Sequence, residues 1–132
     1  MAVSLRAGVA YFALVFAIGF VLGTIRVLVV IPRFGDTNAV LIELPVMLAL
    51  SWMACAWIVR RFAVPPRAAE RLMMGALAFA LLMLGEVAVS VFGFGRTVAG
   101  HLATYQTPGA QLGLAAQVAF ALFPWVQRLL AR

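Results

Sequence analysis

The sequence predicts an all-α fold, a transmembrane bundle of four helices. Composition is the first reason: 66% of the 132 residues are hydrophobic and 11% are charged, whereas soluble domains are about half apolar and a quarter charged. The second reason is the presence of four apolar segments long enough to cross a bilayer, which takes about 20 residues of helix. We expect a single integral membrane domain over residues 1–132.

Residues that break or leave a helix separate the four segments. The first segment ends at Pro32 and the second at Arg60-Arg61, while the third ends at Gly93 and Pro108 precedes the fourth. Backbone polar groups cannot stay unpaired in hydrocarbon, so each segment is expected to be a helix. The short middle loop around Pro65-Pro66 predicts that spans two and three are antiparallel neighbours. The predicted spans cover about residues 8–31, 38–59, 72–92 and 110–130.

All ten basic residues are arginines, and their distribution predicts the orientation. Cytoplasmic loops of membrane proteins carry an excess of basic residues. We therefore expect both termini and the middle loop in the cytoplasm, with the chain in a bacterial inner (plasma) membrane. The first span is expected to be retained, because its apolar core is too long for a cleaved signal peptide. The ends assigned to the cytoplasm carry Arg6, Arg60, Arg61, Arg67, Arg71, Arg128 and Arg132, and the opposite loops carry only Arg33 and Arg96.

Four polar residues interrupt the apolar segments, one in each: Arg26, Glu43, Glu86 and Gln117. With about 1.5 Å of rise per helical residue, all four fall at a similar depth, in the outer third of the membrane. A charged group in hydrocarbon costs a few kcal/mol or more, so such residues usually face a bundle interior. The sequence therefore predicts one buried polar cluster.

Small residues share the faces that carry these polar side chains. Gly19 and Gly23 form a GxxxG pair below Arg26, and Gly113 precedes Gln117 by four residues. Because such residues let helices approach closely, we expect these three glycines at helix–helix contacts.

Two prolines inside predicted spans indicate local irregularity. Pro45 leaves the carbonyl of Leu41 without its helical donor, and Pro124 does the same for Phe120. We expect kinks at both prolines, which could open a small cavity or act as hinges.

The charges of the cluster suggest two interpretations. One guanidinium faces two carboxylates, so a fully ionised cluster would carry a net negative charge. In the first interpretation, Arg26 pairs with one glutamate while the other, Glu86 by preference, binds a proton or a cation. In the second, an Arg–Glu pair only fixes helix register. A bundle of small residues leaves little room for a substrate path within one protomer, which favours an oligomer for the first interpretation.

Several function classes lack support in the sequence. No catalytic pattern, metal-ligand spacing or phosphate-binding loop is present, so we expect no enzyme activity, cofactor or metal site. The arginines border apolar runs, which argues against nucleic-acid binding. His101 is the only histidine and is expected to be exposed in the last loop. A short interfacial helix is expected in the same loop, with Val98, Leu102 and Tyr105 opposite Arg96 and His101.

The stretch Gly23-Thr24-Ile25-Arg26, followed by Pro32-Arg33 and Glu43-Leu44-Pro45, resembles uncharacterised small four-span bacterial inner-membrane proteins. The resemblance covers mainly the first two spans and implies no activity. Two function classes therefore stay open. One is an accessory or scaffolding subunit that packs against itself or a larger membrane complex. The other is an oligomeric small transporter or channel that couples a proton or cation through Glu86 and Glu43.

Overall fold

The computed structural model describes residues 2–130, without the side chains of residues 36 and 37. This part of the chain is helical and contains no strand. Helix α1 spans Ala2–Ile25 and continues through a π-helical segment, Arg26–Val30, into the short α2, Ile31–Phe34. The following helices are α3 (Asp36–Phe62), α4 (Ala68–Ala88) with a π-helical extension (Val89–Gly93), α5 (Val98–Ala103) with a 3₁₀ turn (Thr104–Gln106), and α6 (Pro108–Leu130).

Four of these helical stretches are long and apolar enough to cross a bilayer, which confirms the predicted number of spans. They cover Ala2–Phe34, Asn38–Phe62, Ala68–Gly93 and Pro108–Leu130, and are called spans one to four below. Each is longer at one end or both than the sequence predicted, because helix continues beyond the most apolar residues.

The four spans form a ring in which span one packs against spans two and three, and span four against the same two. Spans two and three therefore lie diagonally across the bundle, and the prediction that they are neighbours was wrong. The reason is the path of the middle loop. Ala63 has a left-handed backbone (φ 51°) that ends α3, and the loop then crosses the end of span four, where Arg128 Nε donates to the carbonyl of Pro66 at 2.8 Å.

Nearly all of the buried apolar core lies in one half of the bundle, which we call the closed half. This half contains the start of spans one and three and the end of spans two and four. The other half, called the open half, contains the remaining part of each span together with α5. The core residues of the closed half are Ala7, Tyr11, Val15, Ala54, Cys55, Ile58, Val64, Met74, Ala78, Leu82 and Phe120.

Close helix approach in the closed half depends on Gly8 and Gly75. A Cβ on Gly8 would lie 2.9 Å from the Met74 carbonyl oxygen, and one on Gly75 would overlap the carbonyl of Ala121. The predicted packing glycines behave differently. Gly19 makes only an ordinary contact, and no described atom lies within 4 Å of a Cβ placed at Gly113. The packing prediction was wrong for Gly113, and also for Gly23, whose one such neighbour is the side chain of Arg26 on the same span.

The helix irregularities occur next to the polar cluster. The first π-helical segment begins at Arg26, and the second follows Glu86 by three residues. Single π-turns inside α-helices are frequent at functional sites. In contrast, α-helix continues through Pro45 and Pro124, so neither proline ends its helix and a bend of the axis there stays a prediction.

Candidate functional site

A cavity of about 560 Å³ lies in the open half between all four spans. Arg26, Glu43, Glu86 and Gln117 all line it. The cavity exists because Gly19, Gly23 and Gly113 also line it and bring no side chain into the space. An adjoining cavity of about 650 Å³ shares Arg26, Glu86 and Gln117 and extends along the segment 104–110. The expectation that one protomer has little internal room was therefore wrong.

Arg26 and Glu43 form an ion pair between spans one and two. Arg26 Nη1 lies 2.7 Å from Glu43 Oε2, within charge-assisted hydrogen-bond distance. The side chain of Glu43 is 16% exposed and that of Arg26 34% exposed, so the carboxylate is the more sheltered partner. The pair neutralises Glu43 and leaves Glu86 as the carboxylate of the cavity without an arginine at ion-pair distance among the described residues.

Glu86 and Gln117 meet across spans three and four. Gln117 Nε2 donates to Glu86 Oε1. The opposite atom of the same amide, Gln117 Oε1, is buried and has no hydrogen-bond partner within the described part of the chain. Since a buried acceptor without a partner costs about 1–3 kcal/mol, this atom is a place where a donor from outside the chain would be stabilising.

Tyr105 approaches Glu86 from the 3₁₀ turn after α5, and its hydroxyl interacts with the Glu86 carboxylate. Burial and then the negative charge of Glu86 raise the pKa of the Tyr105 hydroxyl. The hydroxyl therefore stays protonated at neutral pH and remains a donor.

His101 is buried, with 7% of its surface exposed, and lines both cavities. The prediction of an exposed loop histidine was therefore wrong. His101 and Tyr105 are four residues apart and lie on one side of this segment, which faces the cavity, so the expectation that Tyr105 lies opposite His101 was wrong as well. Their rings meet edge to face, with His101 Nε2 3.5 Å from the Tyr105 hydroxyl. His101 Nδ1 is buried without a hydrogen-bond partner among residues 2–130.

Arg96 is a cavity residue that the predicted cluster did not include. Its Nη1 donates to Ser90 Oγ at 3.3 Å, and its guanidinium lies over the ring of Phe94 at 5.4 Å. The backbone turn at Gly95 (φ 69°) directs the chain back toward the cavity. With Arg96, two guanidiniums accompany two carboxylates, so the expectation of a net negative cluster was wrong.

The closed half holds polar contacts that the sequence did not reveal. Arg71 is buried, and its guanidinium donates to the carbonyls of Pro124 at 3.0 Å, Pro65 at 3.3 Å and Val64 at 3.4 Å. This arginine, predicted only as a determinant of orientation, attaches the middle loop to span four. On the facing side, Ser4 donates to the carboxylate of Glu70. The sequence carries no signal for the contact of Arg71 with Pro124 or of Ser4 with Glu70, because each joins residues on different spans.

Tyr11 supplies the hydrogen bond that Pro124 removes. Proline leaves the Phe120 carbonyl without a helical donor, and the Tyr11 hydroxyl donates to that oxygen at 2.7 Å. The two rings also stack, with centroids 4.2 Å apart. The acceptor was predictable from the sequence, but the donor, 109 residues away, was not. This contact forms the floor between the cavity and the closed half.

No protein-family model, curated protein or solved structure matches this chain.

Proposed function

We propose that this chain is a small membrane carrier that binds a cation or a proton at Glu86, inside the open-half cavity of each protomer. The observation that carries the proposal is one cavity lined by a neutralised Arg–Glu pair and by a second carboxylate beside an unpartnered amide oxygen. Intramembrane carboxylates with such surroundings typically mark ion or proton paths.

The packed closed half favours a carrier over an open pore. Tyr11 and Phe120 stack directly below the cavity, and Gly75 holds spans three and four in contact beyond them. A bound ion could reach the opposite end only after these contacts change. The π-helical segments beside Arg26 and Glu86 offer places where spans one and three can move.

We also propose that both termini and the middle loop lie in the cytoplasm, and the positions of the arginines support this orientation. Arg6, Arg60, Arg61 and Arg67 are exposed at the closed half, where a cytoplasmic inner-membrane surface would hold them. Arg132 lies outside the described residues.

Helix α5 is proposed to be interfacial, since its apolar Val98 is exposed. The resemblance to small four-span bacterial proteins also stays a prediction, as do the absence of enzyme activity and of nucleic-acid binding.

An accessory or scaffolding subunit is the second candidate. Large apolar side chains at the open end favour it, since Phe92 is 88% exposed and Phe94 69% exposed. Such side chains suit contact with another membrane helix, from a second copy or from a larger complex, as well as contact with lipid.

Flux measurements in liposomes separate the two candidates. Purified protein is reconstituted, a proton gradient is imposed, and internal pH is followed with a dye. We expect a flux in the wild type that Glu86→Gln abolishes, because glutamine keeps the shape and loses the charge. Gln111→Leu, an exposed position on span four, is the control and should retain the flux. Absence of flux in the wild type, or equal flux in Glu86→Gln, would contradict the carrier and favour the subunit.

A further inference from the structure

The polar atoms of the cavity that lack partners indicate what kind of ligand fits. Gln117 Nε2 donates to the Glu86 carboxylate, and Gln117 Oε1 has no hydrogen-bond partner among residues 2–130. A carboxylate and an amide oxygen side by side are both acceptors. A ligand that satisfies both must bring a positive charge and at least two N–H or O–H donors.

The cationic side chains of the cavity do not compete for these acceptors. Arg26 is paired with Glu43 at 2.7 Å. Arg96 donates to Ser90 and lies over Phe94. Both guanidiniums therefore have other partners, and a ligand can use Gln117 Oε1 and the acceptor capacity that the Glu86 carboxylate has beside its contact with Gln117 Nε2.

The walls of the cavity are mainly apolar and extend well beyond the Glu86–Gln117 pair. A volume of about 560 Å³ is in the range of small-molecule sites, which are roughly 300–1,000 Å³, and far exceeds the roughly 30 Å³ of one water. Aromatic rings favour a cation and the apolar group attached to it. The apolar wall includes Phe16, Phe20, Leu44, Met47, Leu48 and Phe120.

A bare metal ion fits this site poorly. The described residues contain no group of three or more histidine, cysteine, aspartate or glutamate side chains that could hold one. Ca²⁺ and Mg²⁺ also need six or more oxygen ligands, whereas two guanidiniums line this cavity.

We infer that the ligand bound at Glu86 is an organic ammonium with an apolar body, its N–H groups donating to Glu86 and to Gln117 Oε1. This inference rests on the proposed function and names the ligand class of the same site. The apolar body lies against the aromatic wall. Its path from outside follows span one, where the cavity-lining Phe20 and Leu28 are 61% and 69% exposed.

Three compounds of matched shape test the inference: 2-phenylethylammonium, its N-trimethyl derivative and 2-phenylethanol. Binding to the purified protein in lipid nanodiscs is measured by titration calorimetry. We expect the primary ammonium to bind, and the other two to bind roughly tenfold more weakly or less, because one lacks N–H donors and the other lacks charge. Glu86→Gln should weaken binding about 10- to 100-fold and Gln117→Leu about tenfold.

The control variant is Gln111→Leu, which removes an exposed amide from the same helix and should bind as the wild type does. Thermal unfolding of each variant shows that it is folded. The inference is overturned if none of the three compounds binds, if the alcohol or the trimethyl compound binds as tightly as the primary ammonium, or if both cavity variants bind like the wild type. Glu86-dependent proton flux in liposomes would still support the proposed function in those cases, so the two failures are distinguishable.

Discussion

The two halves of this bundle are built from the same four spans and pack by different means. In the closed half, glycines bring backbones together, aromatic rings stack, and buried donors reach carbonyls on other spans. In the open half, glycines line the cavity. There the Arg26–Glu43 ion pair joins spans one and two, and the Gln117–Glu86 contact joins spans three and four. The same four spans therefore form a closely packed base and a polar cavity, according to what faces each small residue.

The difference also explains why the polar residues of the two halves have different roles. Arg71 and Tyr11 each satisfy carbonyls that loop geometry or proline leaves without donors. Gln117 and His101 instead each keep one buried polar atom that has no hydrogen-bond partner in the described part of the chain. Polar groups that are fully paired stabilise a fold, whereas unpaired ones at a cavity are available to a ligand.

The largest expected effect is in the closed half. Gly75→Ala should lower the free energy of unfolding by about 3 kcal/mol or more, because the new methyl group overlaps a backbone carbonyl and the helices must separate. Unfolding in mixed detergent micelles measures the change. Gly113→Ala is the matched control in the open half and should change stability by no more than about 0.5 kcal/mol. Equal losses of stability at both positions would contradict the conclusion that glycines allow close helix packing in the closed half and only border a cavity in the open half.

The ion pair of the open half should give the next largest effect. Arg26→Met should cost about 2 kcal/mol, because it leaves the sheltered carboxylate of Glu43 without its partner. Adding Glu43→Gln should recover part of this loss. The coupling free energy from the double-mutant cycle measures the pair, and strictly additive losses would show that the two side chains do not stabilise the open half together.

Removing the Tyr11 hydroxyl tests how much its hydrogen bond to the Phe120 carbonyl stabilises the floor of the cavity. Tyr11→Phe keeps the ring stacked on Phe120 but leaves its carbonyl without a donor, so we expect a loss of about 1.5 kcal/mol in the same unfolding assay. Tyr105→Phe, in the open half, is the comparison and should affect stability less, since Tyr105 is less buried. A larger loss of stability for Tyr105→Phe than for Tyr11→Phe would contradict the conclusion that the Tyr11 hydrogen bond stabilises the floor of the cavity.

The smallest expected effect is stabilising. Ala63 adopts a left-handed backbone at the end of α3, with Ala63 N–H donating to Arg60 O and Val64 N–H to Val59 O. Because this conformation disfavours a side chain, Ala63→Gly should raise the free energy of unfolding by about 1 kcal/mol. A loss of stability would show that the loop path over span four depends on another contact.

Some features of the site were predictable because they follow from local chemistry. The number of spans and each of the four polar positions can be identified from hydropathy alone, and Pro124 marks the Phe120 carbonyl as an acceptor without further information. The four-residue spacing of His101 and Tyr105 predicts that the two share one side of their segment, whereas the burial of that side depends on the tertiary structure. Arg96 lies beyond the end of a span, and its place in the cavity depends on a turn at Gly95 that the sequence only suggests.

Hydropathy and helical rise are local properties, so the sequence alone identifies four helices that are long and apolar enough to cross a membrane, and the polar residue that interrupts each of them. The tertiary structure decided which spans are neighbours, which glycines pack and which line a cavity, and which polar atoms find partners. Those outcomes depend on distances between residues far apart in the chain. The loop from Ala63 to Arg67 shows this most clearly, since its crossing over span four places spans two and three on opposite sides of the bundle.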